Sequence, residues 1–288
     1  MLTTIQYPTR VLNDFQKSKD FAKSPLRYPG GKFYAIKHIL PFLDCLPHDE
    51  FREPFVGGGS IFFAKKKVQF NWINDLEKDI VDLYTGFCDK QIVQYLEQLL
   101  TVEVATPERH KEMKDFVPQN LAERVFKTYY LNRTSYSGII NKPAWGYKDG
   151  KSSPPQNWIA FVKQAAQKLD DIKITALDFQ EVVFSKATGK NVLMYLDPPY
   201  FHADQKRAYT KPFVLDDHIR LSNTLKSTEH YFCLSYDDCA EIRDLYAWAH
   251  IYEKKWLYNT ANKKGVSRDM GNELIITNYK ISTPKLLF

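Results

Sequence analysis

The sequence predicts an α/β protein with a mostly parallel sheet that takes its ligands at the C-terminal ends of the strands. Three observations carry this expectation. Short apolar runs alternate with helical periods on both sides of a long helical stretch. Several runs end on an acidic residue, namely Asp75, Asp178 and Asp197, and an earlier one, Phe51 to Val56, passes directly into Gly57-Gly58-Gly59-Ser60. Open α/β sheets bind where their strands end, so acids gathered there read as ligand acceptors.

Composition narrows the class. With 288 residues, 44% hydrophobic and 15% aromatic, the chain can bury one large core, alone or with an insertion. No apolar stretch approaches the roughly 20 residues that a bilayer span needs, and no secretory signal pattern opens the chain, so no membrane partner and a cytoplasmic location are expected. Cys45, Cys88, Cys233 and Cys239 lack CxxC spacing, which argues against a zinc site or a disulfide framework. A net charge of +6 permits a polyanionic partner without requiring one.

From the N-terminus, residues 1–23 show no period. Ser24 to Lys32 is a Pro- and Gly-containing loop that leads into a helix from Phe33 towards Leu40. Phe51 to Val56 reads as a strand running into the triple glycine and a helix, Ile61 to Lys66. Glycines there let backbone approach a nucleotide-like ligand, and the helix N-terminus adds unpaired N–H groups. The next strand, Phe70 to Asn74, ends on Asp75, 18 residues past Gly57. An acid at that place can accept both hydroxyls of a ribose, a role compatible with capping the helix from Leu76 to Phe87.

Between Asp79 and Asp170 helical periods dominate: Ile92 to Leu100, Glu108 to Val117, Leu121 to Leu131 and Trp158 to Leu169. This reads as an insertion. From Leu121 to Lys151, six basic residues face only Glu123 and Asp149, interleaved with Phe126, Tyr129, Tyr130, Tyr136, Trp145 and Tyr147. Such a mixture suits phosphate contacts and stacking on bases. Val125, Phe126 and Tyr129 are expected in the helix's own core. The loop from Asn132 to Pro155, with Tyr136, Ser137, Asn141, Lys142 and Lys148, is the candidate nucleic-acid surface.

Strands then return as Lys173 to Leu177, before Asp178-Phe179, and as Val192 to Leu196, which stops on Asp197-Pro198-Pro199-Tyr200. Two prolines cannot continue a central strand, so the Asp197 carboxylate and the Pro198 carbonyl are presented where a loop opens. With the Tyr200 ring, these acceptors suit a planar ligand bearing an exocyclic amine, such as adenine. A strand ending in a capped Pro-Pro turn is the plain alternative. A polar loop, Phe201 to Pro212, follows; Tyr231 to Ser235 is a further strand, with Asp237 as a cap for a helix to Trp248. His250 to Tyr258 and Leu274 to Tyr279 form a hairpin-like pair around a basic loop, Asn259 to Met270.

In these motifs the chain resembles the Dam-type, or D12-class, DNA adenine-N6 methyltransferases. The resemblance runs from Leu26-Arg27-Tyr28-Pro29-Gly30-Gly31-Lys32 through Glu53-Pro54-Phe55-Val56-Gly57-Gly58-Gly59-Ser60, Asn74-Asp75, Asn132-Arg133, Asp178-Phe179 and Asp197 to Tyr200, to Arg268 and Glu273. It implies a Rossmann-like S-adenosylmethionine-dependent methyltransferase domain, 1–80 and 171–288, with a mainly helical target-recognition domain inserted at 81–170. By resemblance, Tyr28, Lys32, Glu53, Pro54, Phe55, Gly57, Gly58, Gly59, Asp75, Asp178 and Phe179 surround S-adenosylmethionine, with Asp75 on the ribose and Asp178 with the Phe179 backbone on the adenine. Asp197, Pro198, Pro199 and Tyr200 hold a flipped adenine, and Arg27 lies near double-stranded DNA. No metal is implied, and a cognate restriction endonuclease is a partner that the resemblance leaves open.

Two departures matter. The family's aromatic-Asn-Gly triplet is here Tyr136-Ser137-Gly138, followed almost at once by Asn141-Lys142-Pro143, so the base-reading hairpin is short and the GATC target is not carried over. Leu234-Ser235-Tyr236 has Tyr where Asn is frequent. Three rival readings stand beside this one: an RNA adenine methyltransferase, a catalytically silent DNA-binding homologue, and a nicotinamide-dependent dehydrogenase. The last is disfavoured because Phe62 stands where its third glycine is needed and it has no use for Asp-Pro-Pro-Tyr.

Overall fold

The computed structural model describes residues 21–202, 212–257 and 270–281. Within them a seven-stranded sheet runs in the order β3-β2-β1-β4-β5-β7-β6, built from β1 (Glu50–Glu53), β2 (Phe70–Asn74), β3 (Lys173–Thr175), β4 (Val192–Leu196), β5 (Tyr231–Asp237), β6 (His250–Leu257) and β7 (Met270–Thr277). Strands β1 to β5 are parallel, and β7 lies antiparallel to both β5 and β6. The order turns back between β1 and β4, and that reversal opens a crevice at the strand ends.

The central strand shows why an apolar run was needed. Val192, Met194 and Leu196 join one apolar cluster with Phe232, Leu234, Leu274 and Ile276, while Leu193 and Tyr195 join another with Phe51, Ile73 and Cys233 on the opposite face. A strand buried on both faces has no solvent side to make polar. In β1 the buried Arg52 stands between two buried acids, Glu50 and Glu53. Fully buried, it is paired with Glu50 at 2.7 Å and donates to the carbonyls of Val182, Ser185 and Lys186, so every part of its fork is used.

Around the sheet lie α1 (Ile36–Asp44), α2 (Ser60–Ala64), α8 (Phe179–Phe184), α9 (Leu215–Ser227) and α10 (Ala240–Leu245). Five more helices, α3 (Lys78–Cys88), α4 (Lys90–Val102), α5 (Pro107–Asp115), α6 (Leu121–Thr134) and α7 (Trp158–Leu169), stand between β2 and β3 in the chain. Their starts are capped as their sequences ask: Asp89, Thr106 and Asn120 accept backbone N–H groups of α4, α5 and α6. Leu83, Leu96, Leu100, Val125, Tyr129, Trp158 and Val162 belong to the same cluster as Phe51 and Leu193, so these helices are packed onto the sheet's own core.

Several expectations are revised in detail. The helix expected from Phe33 begins as a single 3-10 turn, Lys32–Tyr34, and continues as α1 through Pro41. Asp237 ends β5 instead of capping a helix, and its carboxylate accepts the backbone N–H groups of Phe201 and His202, because that segment doubles back over the strand end. The helix that follows starts after Cys239, which makes no side-chain cap hydrogen bond, and stops at Leu245. The leader up to residue 20, most of the Phe201–Pro212 loop and the basic loop between β6 and β7, with Arg268, lie outside the described residues. Among the described residues no helix is long and apolar enough to cross a membrane.

Candidate active site

All the acids singled out at strand ends reach one cavity. It measures about 820 Å³ and is lined by Tyr28, Lys32, Glu53, Pro54, Phe55, Gly57, Gly58, Gly59, Asp75, Asp178 and Phe179 together with Asp197, Pro198, Pro199 and Tyr200. The fifteen residues expected around a cofactor and a target base thus share a single chamber.

Its floor is tied together by Asn74, which the sequence marked only as part of a motif. Buried at the end of β2, its amide donates to the carbonyls of Pro54 and Leu177, and its oxygen accepts from Leu177 N–H and Thr175 Oγ1. One side chain therefore fixes the ends of β1, β2 and β3. Beside it, Asp75 accepts Gly57 N–H at 2.7 Å and Glu77 N–H at 2.9 Å, and Tyr84 OH donates to the Gly57 carbonyl at 2.9 Å. The glycine loop is pinned from both sides. Glycine is required at Gly57 by φ of +45°, and at Gly58 because a Cβ there would lie 2.7 Å from Tyr28 Cβ.

At the other end of the chamber, Lys32 Nζ reaches Asp197 and lies 4.5 Å from the centre of the Tyr200 ring. Ser235 Oγ donates to Asp197 Oδ1 at 2.9 Å and is joined to Tyr195 OH at 2.9 Å. Tyr200 OH donates to Glu273 Oε2 at 2.5 Å, and its ring centre is 6.0 Å from that of Tyr236. Two prolines keep this corner extended, and four side chains from elsewhere hold its carboxylate and ring.

Two buried acids complete the electrostatics. Burial, with Asp197 next, holds the Glu53 carboxyl well above the usual carboxylate range. Burial also pushes Asp75 up to about 6, against the pull of the Glu77 and Gly57 N–H groups. Glu53 Oε2 is buried without a hydrogen-bond partner, which suits a ligand that brings a donor or a positive charge. Phe55, Phe179 and Phe213 pack on one another with ring centres 5.5 to 6.0 Å apart and give the cavity an aromatic wall against which a purine can lie. Acids for hydroxyls and amines, an orphaned buried acid and an aromatic wall fit S-adenosylmethionine.

The residues expected at DNA lie apart from the cavity. Asn132 requires correction as a direct contact. It is fully buried, accepts Arg27 N–H at 3.0 Å and donates to the carbonyls of Arg27 and Gly138, so it shapes the surface from beneath. Arg133 is half-buried, stacked over Trp158 and Phe161, with Nη1 donating to Pro25 O. Of the aromatic residues, Phe126, Tyr129 and Tyr130 belong to the core, and Trp145 packs between His110 and Tyr147. Tyr136, Lys142 and Lys148 are exposed; Arg27, Ser137 and Asn141 are half-buried. Gly138 must be glycine, since its φ is +74° and a Cβ would meet Arg27 O at 2.1 Å.

Sequence reasoning missed Arg220, Asp217 and Phe213 on the cavity wall, and Ser235 as a partner of Asp197. The Asp217–Arg220 pair at i, i+3 was the only local trace of the first two.

A mostly parallel sheet of this order, with a glycine loop and an acid-Pro-Pro-Tyr corner sharing one cavity, defines a Rossmann-like methyltransferase. The D12 class N6 adenine-specific DNA methyltransferase family matches residues 28–260, and the chain belongs to that family. Similar proteins include the type II methyltransferase M1.LlaDCHI of Lactococcus lactis subsp. cremoris, 26% identical over 93% of this chain and 99% of that one. M.CviBI, a type II methyltransferase of Paramecium bursaria Chlorella virus NC1A, is 24% identical over 89% and 100%. A DNA adenine methylase of Vibrio cholerae is 25% identical over 87% and 94%. The chain is thus an adenine-specific DNA methyltransferase by family, and S-adenosylmethionine is the methyl donor that the family implies.

Proposed function

We propose that this protein transfers a methyl group from S-adenosylmethionine to N6 of an adenine flipped out of duplex DNA at a specific site. The observation that carries this reading is the shared cavity: the glycine loop with Asp75 at one end and Asp197 to Tyr200 at the other.

S-adenosylmethionine, when bound, supplies a methyl group activated by a sulfonium. The protein's part is to hold and polarise the amine. Adenine N6 is a poor nucleophile because its lone pair is delocalised into the ring. Hydrogen bonds from N6 to Asp197 and the Pro198 carbonyl favour a pyramidal nitrogen and strengthen as positive charge develops on it, so they stabilise the transition state more than the ground state. Lys32 and Ser235 hold Asp197 in place for this, and Tyr200 offers a ring for stacking whose hydroxyl is tied back to Glu273. Asp75 accepts ribose hydroxyls, and Asp178 with Phe179 receives the cofactor adenine. Flipping costs a few kcal/mol, offset by the pocket and by contacts to the duplex.

Those contacts are assigned to the inserted helical segment, residues 81–170, acting as target-recognition domain with Arg27. The exposed side chains of Tyr136, Lys142 and Lys148 support this. Pairing with a restriction endonuclease is consistent with relatives named type II methyltransferases.

The test is modification-aware sequencing of DNA from a methylase-free bacterial host expressing wild type or Asp197→Ala. The expected result is N6-methyladenine at one recurring motif, lost in the variant. Unmodified DNA from both strains with soluble protein present would sink the proposal, and methylated RNA would redirect it.

A further inference from the structure

Asp178 is the N-cap residue of α8, with its side chain about a third exposed and accepting backbone N–H groups of that helix. Arg220, from α9, donates through Nη1 to Asp178 Oδ1 at 2.8 Å and to Gln180 Oε1 at 2.9 Å, and through Nη2 to Asp217 Oδ1 at 3.1 Å. Gln180 N–H loads the same Asp178 oxygen at 2.9 Å. The guanidinium also lies 4.2 Å from the centre of the Phe179 ring. One side chain, itself lining the cavity, therefore holds both members of the Asp178-Phe179 pair.

We propose that Arg220 is a positioning residue that sets the identity of the cofactor's base. Fixing Oδ1 of a planar carboxylate fixes Oδ2 as well, and Oδ2 becomes the acceptor for an exocyclic amine. Adenine meets that acceptor with a donor. Hypoxanthine, of the same shape but with a carbonyl at that position, would set two acceptors against each other, and a site built for a donor rejects the analogue that lacks it. The inference rests on the reading of this cavity as an S-adenosylmethionine site and adds to it a residue and a selectivity.

The test compares binding of S-adenosylhomocysteine with that of its deaminated analogue, S-inosylhomocysteine, by calorimetry. Wild type should prefer the adenosyl form by roughly 10- to 100-fold, the span of one hydrogen bond to a charged group. Arg220→Met should cut the preference by at least about 3-fold by weakening the adenosyl form alone, Arg220→Lys should restore part of it, and Arg220→Met should add nothing to Asp178→Ala. At saturating cofactor, turnover should hold while KM for the cofactor rises. An Arg220→Met protein that keeps the preference, or loses affinity for both ligands equally, would overturn the assignment. Wild type that binds neither ligand would overturn the cofactor reading itself, and Arg220's role with it.

Discussion

Lys32 Nζ stands 2.7 Å from Asp197 Oδ1 and 2.8 Å from Oδ2, although 165 residues separate the two. The lysine is 5% exposed and the aspartate 21%, so the pair is largely withdrawn from water. Because Lys32 follows Gly30 and Gly31 in the loop that lines the cavity, this contact joins the Asp197–Tyr200 corner to the glycine-rich end of the chamber.

Removing the ammonium tests that join. Lys32→Met should slow methyl transfer by roughly 10- to 100-fold, the loss of a hydrogen bond to a charged group, while changing cofactor affinity by less. Asp197→Ala should reduce transfer to background with cofactor still bound. Single-turnover rates on duplex DNA, beside calorimetry, separate the two effects. An unchanged rate in Lys32→Met would remove the lysine from the amine site.

Asp75 sets a pH dependence. Its carboxyl is pushed up to about 6 by burial, and ribose hydroxyls donate best to its ionised form. Cofactor binding therefore favours loss of the proton, so affinity should be full above about pH 6 and should fall as pH drops below it, by up to about tenfold per pH unit. Calorimetry in two buffers should show proton release near pH 6 in wild type, and none from this group in Asp75→Asn. Affinity that is flat from pH 5 to 8 would contradict the ribose assignment.

How far the sequence carries can be judged from such residues. Asp75, Asp178 and Asp197 were legible because each follows a strand-like run, of which only Val192 to Leu196 is apolar and buried throughout, and the triple glycine and the two prolines mark where the chain must turn. Arg220, Ser235 and Glu273 were not legible in their roles. They reach the site across the sheet or from α9, and nothing in their neighbours along the chain reports a partner 38 to 73 residues away, the separations from Ser235 to Asp197 and from Glu273 to Tyr200. Asn132 shows the converse error: a polar residue in a basic, aromatic stretch reads as surface, yet its amide is spent on Arg27 and Gly138 inside.

Tyr200 separates stacking from hydrogen bonding. Tyr200→Phe keeps the ring and removes the bond to Glu273, which holds the ring without touching the reacting amine, so the rate should fall by less than the roughly 10- to 100-fold of a lost hydrogen bond to a charged group. Tyr200→Ala removes the ring as well and should cost a further 10-fold or more, since base–aromatic stacking is worth roughly 1–3 kcal/mol. Equal rates for the two variants would deny the ring its role.

Ser137 sits at φ 54° in the loop after α6, a conformation that glycine and asparagine adopt at lower cost. Ser137→Gly or Ser137→Asn should hold or raise stability by about 0.5–1 kcal/mol, and Ser137→Val should lower it by about 1–2 kcal/mol. Thermal unfolding of the three variants checks this. A valine variant as stable as wild type would show that the loop does not need the left-handed turn.

Lys142 and Lys148 should act on DNA through charge alone. Both are exposed, on the loop that closes back on α6 through Tyr136 N–H to Ala144 O and Gly146 N–H to Thr134 O. A lysine that neutralises one phosphate contributes about one unit to the slope of log affinity against log salt, independent of sequence. Replacing either by alanine should therefore weaken binding to target and non-target duplexes alike, and lower the slope by about one. Tyr136→Ala should leave the slope unchanged while weakening binding, because a ring on a base releases no counterions. Fluorescence anisotropy at four or five salt concentrations distinguishes these outcomes. Slopes that do not move in either lysine variant would place the duplex on another face of the helical segment.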